Sequence, residues 1–275
     1  MGALIVQGAR NRTDVLTGKV GVVTGAGRGL GQRVAVALAQ AGASVAVVAR
    51  TPSQVEATVE RIRATGARAI ALPLDVSNAG AVDELARRTR AELGPATILV
   101  NAAGIFGPIR LVADSDPAAW IETIAINLIG PYLTCRAFAS DMLSAGWGRI
   151  VNFSSAASLH TPGPLNSAYG TSKVALNQFT RHLAAELAGS GVTANVIHPG
   201  EVKTAMWAGI RDESQQLGEV AAGYRQWAEN VGETGGDDPQ KAVDLVLEIL
   251  RDPDPTHTGK FLWVKGGMQT PLPSW

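Results

Sequence analysis

Seven short runs of the chain are apolar almost throughout: Lys19–Thr24, Ser44–Ala49, Ala69–Leu74, Thr97–Asn101, Gly148–Ser154, Val192–His198 and Lys260–Lys265. They lack the strict alternation of a half-exposed strand, so the pattern predicts strands covered on both faces. Between them, apolar residues recur at helical spacing over Gln32–Ala41, Ser53–Thr65, Ala79–Leu93, Ala118–Ala145, Ala168–Gly189 and Pro239–Arg251. Gly42, Gly66, Gly94, Gly146 and Gly191 fall where helix C-termini would lie. Strand alternating with helix predicts one α/β doubly wound domain of about seven parallel strands, with helices on both faces. The domain would span 16–268, after an N-terminal arm (1–15) and before a C-terminal tail (269–275). Within it, 205–238 carries no strand of its own and reads as a lid.

Composition narrows the class. The 275 residues are 46% hydrophobic and 17% charged, in the range of globular domains. Lys plus Arg and Asp plus Glu are 24 each, so net charge gives no reason to expect nucleic acid or an anionic membrane as partner. A single cysteine, Cys135, excludes an intrachain disulfide and suits a reducing compartment; in its apolar helical setting it reads as a buried structural thiol. The N-terminus lacks the pattern of a signal peptide. The most apolar window, Val34–Ala49, is interrupted by Gln40, Gly42 and Ser44, and reads as helix, turn and strand rather than a membrane span. The expectation is a soluble, cytoplasmic protein. No His, Cys, Asp or Glu cluster has metal-ligand spacing.

The stretch TGAGRGLG, Thr24–Gly31, follows the first strand and opens the first helix. It does not match G-x-G-x-x-G, whose last glycine would fall on Leu30. Gly25, Gly27, Gly29 and Gly31 can nevertheless serve the same purpose: a sharp turn, bare backbone beside a pyrophosphate, and helix N–H groups aimed at anionic oxygens. After the second strand the chain reads Ala49-Arg50-Thr51, with no carboxylate where a ribose 2′-hydroxyl would be held. Arg50 and Arg28 together point to a 2′-phosphate and hence to NADP(H); two solvated arginines, with NAD(H) as cofactor, are the alternative.

Downstream come NAAG (Asn101, Ala102, Ala103, Gly104), Asn127, Ser155, and YGTSK, in which Tyr169 and Lys173 share a helical face. With TGAGRGLG, these motifs in this order closely resemble the short-chain dehydrogenase/reductase family, a Rossmann-type fold, from about Leu16 to about Met268. The resemblance includes LDV, where Asp75 and Val76 stand at the adenine-contacting position. It also includes HPGEVKT, where Pro199, Gly200, Val202 and Thr204 match the segment holding the nicotinamide carboxamide. The interval from Ser155 to Tyr169 is one residue longer than the family's usual spacing, so Ser154 is the alternative if the register shifts by one.

The resemblance implies an oxidoreductase interconverting a carbonyl and an alcohol, with NADP(H), or alternatively NAD(H), as hydride carrier. Hydride transfer to a carbonyl leaves its oxygen negative, so a proton donor must stand beside it. A free phenol titrates near 10; Lys173 on the same face, with the positive charge of the oxidised cofactor, would favour phenolate and lower that value. Ser155 would stabilise the substrate oxygen, and Asn127 would fix a water relaying protons from Lys173. Lid residues Met206 and Trp207, with Tyr224 and Trp227, read either as an apolar wall for a neutral ketone or as packing of the lid. His160 reads as pocket wall or exposed loop, and His198 as packing. Family members are usually homotetramers or homodimers, and the tail reads as a candidate for docking on a neighbour. A cofactor-binding scaffold without catalysis is the remaining alternative.

Overall fold

The computed structural model describes residues 16–264 and 267–269. The arm 1–15, and the tail apart from Gln269, lie outside these residues. Every apolar run forms a strand: β1 (Val20–Thr24), β2 (Ser44–Ala49), β3 (Ala69–Pro73), β4 (Ile98–Asn101), β5 (Gly148–Phe153), β6 (Val192–His198) and β7 (Phe261–Trp263). These seven are parallel, in the order β3-β2-β1-β4-β5-β6-β7, and a short β8 (Gly267–Gln269) is added antiparallel at the edge. β1, β4 and β5 are buried along their whole length, which is why they show no alternation.

Helices α1 (Gly29–Gln40), α2 (Pro52–Arg63) and α9 (Pro239–Arg251) cover one face, packing Val34, Val59 and Val246 onto Val47 and Val151. The other face carries α3 (Ala79–Glu92), α5 (Gly130–Ala145) and α6 (Ser167–Glu186), with Leu85, Phe138 and Leu183 against Val22, Leu99 and Ile150. The strand order reverses between β1 and β4, and the C-terminal ends of strands at such a reversal are the place where open α/β sheets take ligands.

Two segments depart from the periodic pattern. The helix expected over Ala118–Ala145 is α4 (Pro117–Ile124) joined to α5 through a π-helical turn, Ala125–Ile129, with Asn127 at its middle. The strandless segment 205–238 holds α7 (Ala205–Ser214) and α8 (Ala222–Thr234). Ile210 of α7 and Ala221, just before α8, pack with Ile109 and Leu165 in a small core separate from the two sheet faces.

Candidate active site

One cleft of about 1190 Å³ runs across the C-terminal edge of the sheet, from the glycine turn to α7 and α8. At its first end Gly25, Gly27, Arg28, Gly29, Leu30 and Gly31 all line it. Backbone geometry explains the glycines. A Cβ on Gly25, which has φ +65°, would lie 2.7 Å from the Ala102 carbonyl oxygen, and a Cβ on Gly31 would collide with the Gly25 carbonyl. The turn after β1 is thus pressed against the loop after β4 while α1 starts beneath it. Arg28, the N-cap of α1, makes no side-chain bond to the first-turn N–H groups, which are left to face an anion.

Arg50 and Asp75 line the same end. The Arg50 guanidinium lies 3.4 Å from a Glu122 carboxylate oxygen, both half-exposed, a pairing that a 72-residue separation hides from local pattern. Asp75 accepts the Ser77 N–H at 2.9 Å and its hydroxyl at 2.8 Å on one oxygen only. Val76, Ala102, Gly104, Pro199, Gly200, Val202 and Thr204 are also in the wall. Asn101 is not. Its side chain is buried below the cleft, donating to Asn152 at 2.9 Å and accepting from Thr134 at 2.8 Å. It ties β4 to β5 and α5 rather than meeting a cofactor, because the strand's alternation turns it inward.

Midway along the cleft, α6 brings Tyr169 and Lys173 together, both almost fully buried. The Lys173 ammonium stands 5.6 Å from the centre of the Tyr169 ring and donates to the Phe153 carbonyl at 2.8 Å. Burial pulls its pKa down to about 8. Burial pushes the Tyr169 phenol up, opposed by a hydrogen bond with the Ser155 side chain. In the protein's own surroundings desolvation outweighs the Ser155 hydrogen bond, opposite to the lowering expected from Lys173; the charge of the oxidised cofactor, the other half of that expectation, would add to the side of the bond.

Of the two serines, it is Ser155 whose side chain bonds Tyr169. Ser154, also in the cleft wall, donates to the Asn177 amide oxygen at 2.6 Å. Within the interval before Tyr169, Leu165 holds φ +80°, is buried, and offers its carbonyl to the Arg110 N–H at 3.0 Å.

Asn127 is fully buried and does not reach the cleft wall. It accepts the Ile105 N–H at 2.9 Å and donates to the Ile105 carbonyl at 2.9 Å and to Ser172 at 3.1 Å. These bonds clamp the loop after β4, and Asn127 and Lys173 both approach Gly104 of that loop. The π-helical turn supplies the extra backbone residue that aims it there.

At the far end Met206 and Trp207 line the cleft, but the Trp207 indole is 7% exposed and donates to the Ala228 carbonyl at 3.2 Å, joining α7 to α8. His160 is exposed at the rim, edge-on to Trp263 at 6.2 Å. His198 accepts the Ala156 N–H at 3.2 Å through Nδ1 and packs edge-on against Trp263 at 5.0 Å, as the packing reading expected. Sequence reasoning missed Ile105, Phe106 and Glu201 in the wall. Phe106 stacks on Tyr169 at 4.6 Å, and nothing local in the sequence marks it.

The profile of the short chain dehydrogenase family matches residues 19–215. The chain belongs to that family. Over 195 residues this short-chain dehydrogenase is 38% identical to a short chain dehydrogenase of Pseudocercospora fijiensis, covering 70% of this chain and 62% of that protein's length. Among solved structures it resembles an NAD⁺-bound xylitol dehydrogenase, with 28% identity, TM-score 0.82 and coverage of 92% and 99% of the two chains. It also resembles a gluconate 5-dehydrogenase from Burkholderia cenocepacia in complex with NADP and tartrate, with 26% identity, TM-score 0.80 and coverage of 93% and 96%. Family membership carries nicotinamide-dependent redox chemistry on carbonyl and alcohol groups. Among the described residues no helix is long and apolar enough to cross a membrane, and no group of three or more His, Cys, Asp or Glu could hold a metal ion.

Proposed function

We propose that this short-chain dehydrogenase is an NADP(H)-dependent oxidoreductase interconverting a ketone or aldehyde and an alcohol, with Tyr169 as acid and base. The meeting of Tyr169, Ser155 and Lys173 at the middle of the cleft carries the reading. The dinucleotide fits: the bare turn Gly25–Gly31 would take the pyrophosphate, Asp75 and Val76 the adenine, and Pro199–Thr204 the nicotinamide end. When bound, the nicotinamide supplies or accepts the hydride.

The chain's own residues handle the proton. In reduction the Tyr169 hydroxyl gives its proton to the carbonyl oxygen while Ser155 hydrogen-bonds that oxygen; in oxidation the phenolate takes it back. The burial-raised phenol has to be drawn down to work near neutrality, and the Lys173 cation beside the ring, with the positive charge of the oxidised cofactor when bound, would act in that direction. Asn127 holds Ile105, and with it the wall opposite Tyr169, in place. Helices α7 and α8 act as the lid over the substrate end.

Arg50 and Arg28 support the phosphorylated cofactor, because a half-exposed ion pair such as Arg50–Glu122 is worth only about 0–1 kcal/mol and yields readily to a phosphate dianion. The same Glu122 carboxylate favours the second reading, an NAD-linked dehydrogenase acting oxidatively. Fluorescence titration with both reduced cofactors separates them. NADPH is expected to bind about tenfold or more tighter than NADH, with the advantage lost in Arg50→Ala, consistent with a lost charge-assisted contact. Equal binding by the native protein overturns the NADP reading.

We further propose a homo-oligomer, dimer or tetramer. Ile121 of α4, Tyr132 of α5 and Val174 of α6 are large apolar side chains left 41–63% exposed. Light scattering is expected to give two or four times the chain mass of 28.6 kDa; a monomer at micromolar concentration rejects it.

A further inference from the structure

Beyond Tyr169 the cleft continues into an aromatic compartment. Phe106 lies between two phenols: it stacks on Tyr169 at 4.6 Å and meets Tyr224 of α8 edge-on at 5.9 Å and 85°. Ile210 and Val220 complete the apolar wall. Tyr224 is held toward the cleft from both sides of its helix. Trp227, three residues on, donates its indole N–H to Glu201 at 3.1 Å, and the Ala228 carbonyl takes the Trp207 indole at 3.2 Å.

The two phenols differ in what surrounds them. Tyr169 has Ser155 and Lys173 at hand. Tyr224 makes no hydrogen bond to any described residue, although it is half-buried and faces the cleft. Burial pushes its pKa up to about 12, and proximity to Tyr169 acts in the same direction. Tyr224 therefore stays a neutral O–H donor when Tyr169 is ionised. A fixed, unused donor in an apolar compartment is a place where a ligand oxygen is recognised, because a ligand lacking that oxygen leaves the hydroxyl unpaired.

We propose that Tyr224 is a specificity-determining residue, donating its O–H to a second oxygen of the substrate while the apolar part of the substrate lies against Phe106. The favoured substrates are accordingly ketones bearing a further oxo or hydroxy group, rather than simple ketones. This rests on the assignment of Tyr169 as proton donor at the same cleft.

The test is Tyr224→Phe, which removes one oxygen and keeps the ring against Phe106. Steady-state reduction with NADPH is measured on size-matched ketone pairs with and without a second oxygen, 1-phenylpropane-1,2-dione and propiophenone among them. For the native enzyme the oxygenated partner is expected to have the lower KM. In Tyr224→Phe that KM should rise about tenfold with kcat little changed, while the simple ketones keep their KM. An unchanged KM ratio overturns the proposal. So does an equal loss on both members of each pair, or weakened NADPH binding by fluorescence, since either marks Tyr224 as merely structural. If the native enzyme binds NADPH but reduces no member of the panel, the assignment of Tyr169 falls and this proposal falls with it. If it reduces both members and the ratio survives the substitution, the role of Tyr224 alone falls.

Discussion

Tyr169→Phe is expected to lower turnover by about 10²–10⁴-fold while leaving NADPH binding intact, the size of effect associated with loss of a positioned proton donor. The substitution deletes one oxygen. The ring remains packed on Phe106 at 4.6 Å, and the hydroxyl's hydrogen bond is to Ser155, itself part of the cleft wall, so no buried partner is orphaned in the core. Lys173 adds a pH signature. With its pKa near 8 the ammonium is charged at neutral pH and loses its proton as pH rises through that value. Above it the phenolate formed in reduction has no cation beside it, so the pH–rate profile for carbonyl reduction should carry an alkaline limb near 8. Residual turnover above about 1% in Tyr169→Phe would mean that another group moves the proton.

The parts of this arrangement that were legible in sequence are those fixed by local chemistry. Strands such as β1 and β5 announce themselves because burial on both faces demands apolar residues at every position. Helix ends are marked where Gly42, Gly66 and Gly146 adopt positive φ. The glycine turn and the Tyr169–Lys173 spacing are likewise short-range patterns. What stayed hidden depends on distant partners. Glu122 meets Arg50 only because the sheet brings α4 beside the end of β2. Asn101 looks like a cofactor contact until β5 supplies Asn152 to receive it. Helices α7 and α8 lack the long regular stripe of α9 because they pack partly on each other and partly over the cleft, and Trp207 serves that packing. The upward push that burial gives Tyr169 is hidden for a related reason: spacing shows which charges are near, whereas desolvation depends on everything folded around them.

Gly31→Ala is expected to damage both the fold and the cofactor site. Gly31 sits in the first turn of α1 at an ordinary helical position, where alanine normally helps a helix. Here the added methyl would run into the Gly25 carbonyl, and Gly25 has little room to retreat, because the Ala102 and Ala103 backbone lies only 2.7 Å from where a Cβ of its own would stand. Both obstacles are backbone, so α1 or the turn must shift, at a cost of about 1–3 kcal/mol typical of overpacking. For a domain of this size each kcal/mol lowers Tm by about 2–4 °C, a shift that calorimetry resolves. The same displacement moves the first-turn N–H groups away from the pyrophosphate they are proposed to hold, so NADPH binding should weaken along with Tm. Gly80→Ala is the control, since a methyl there meets only the Asn78 side chain at an ordinary 3.5 Å, and both stability and binding should hold. If Gly31→Ala melted and bound NADPH like the native protein, the glycine turn could not be wedged between α1 and the loop after β4, and the pyrophosphate assignment would lose its structural basis.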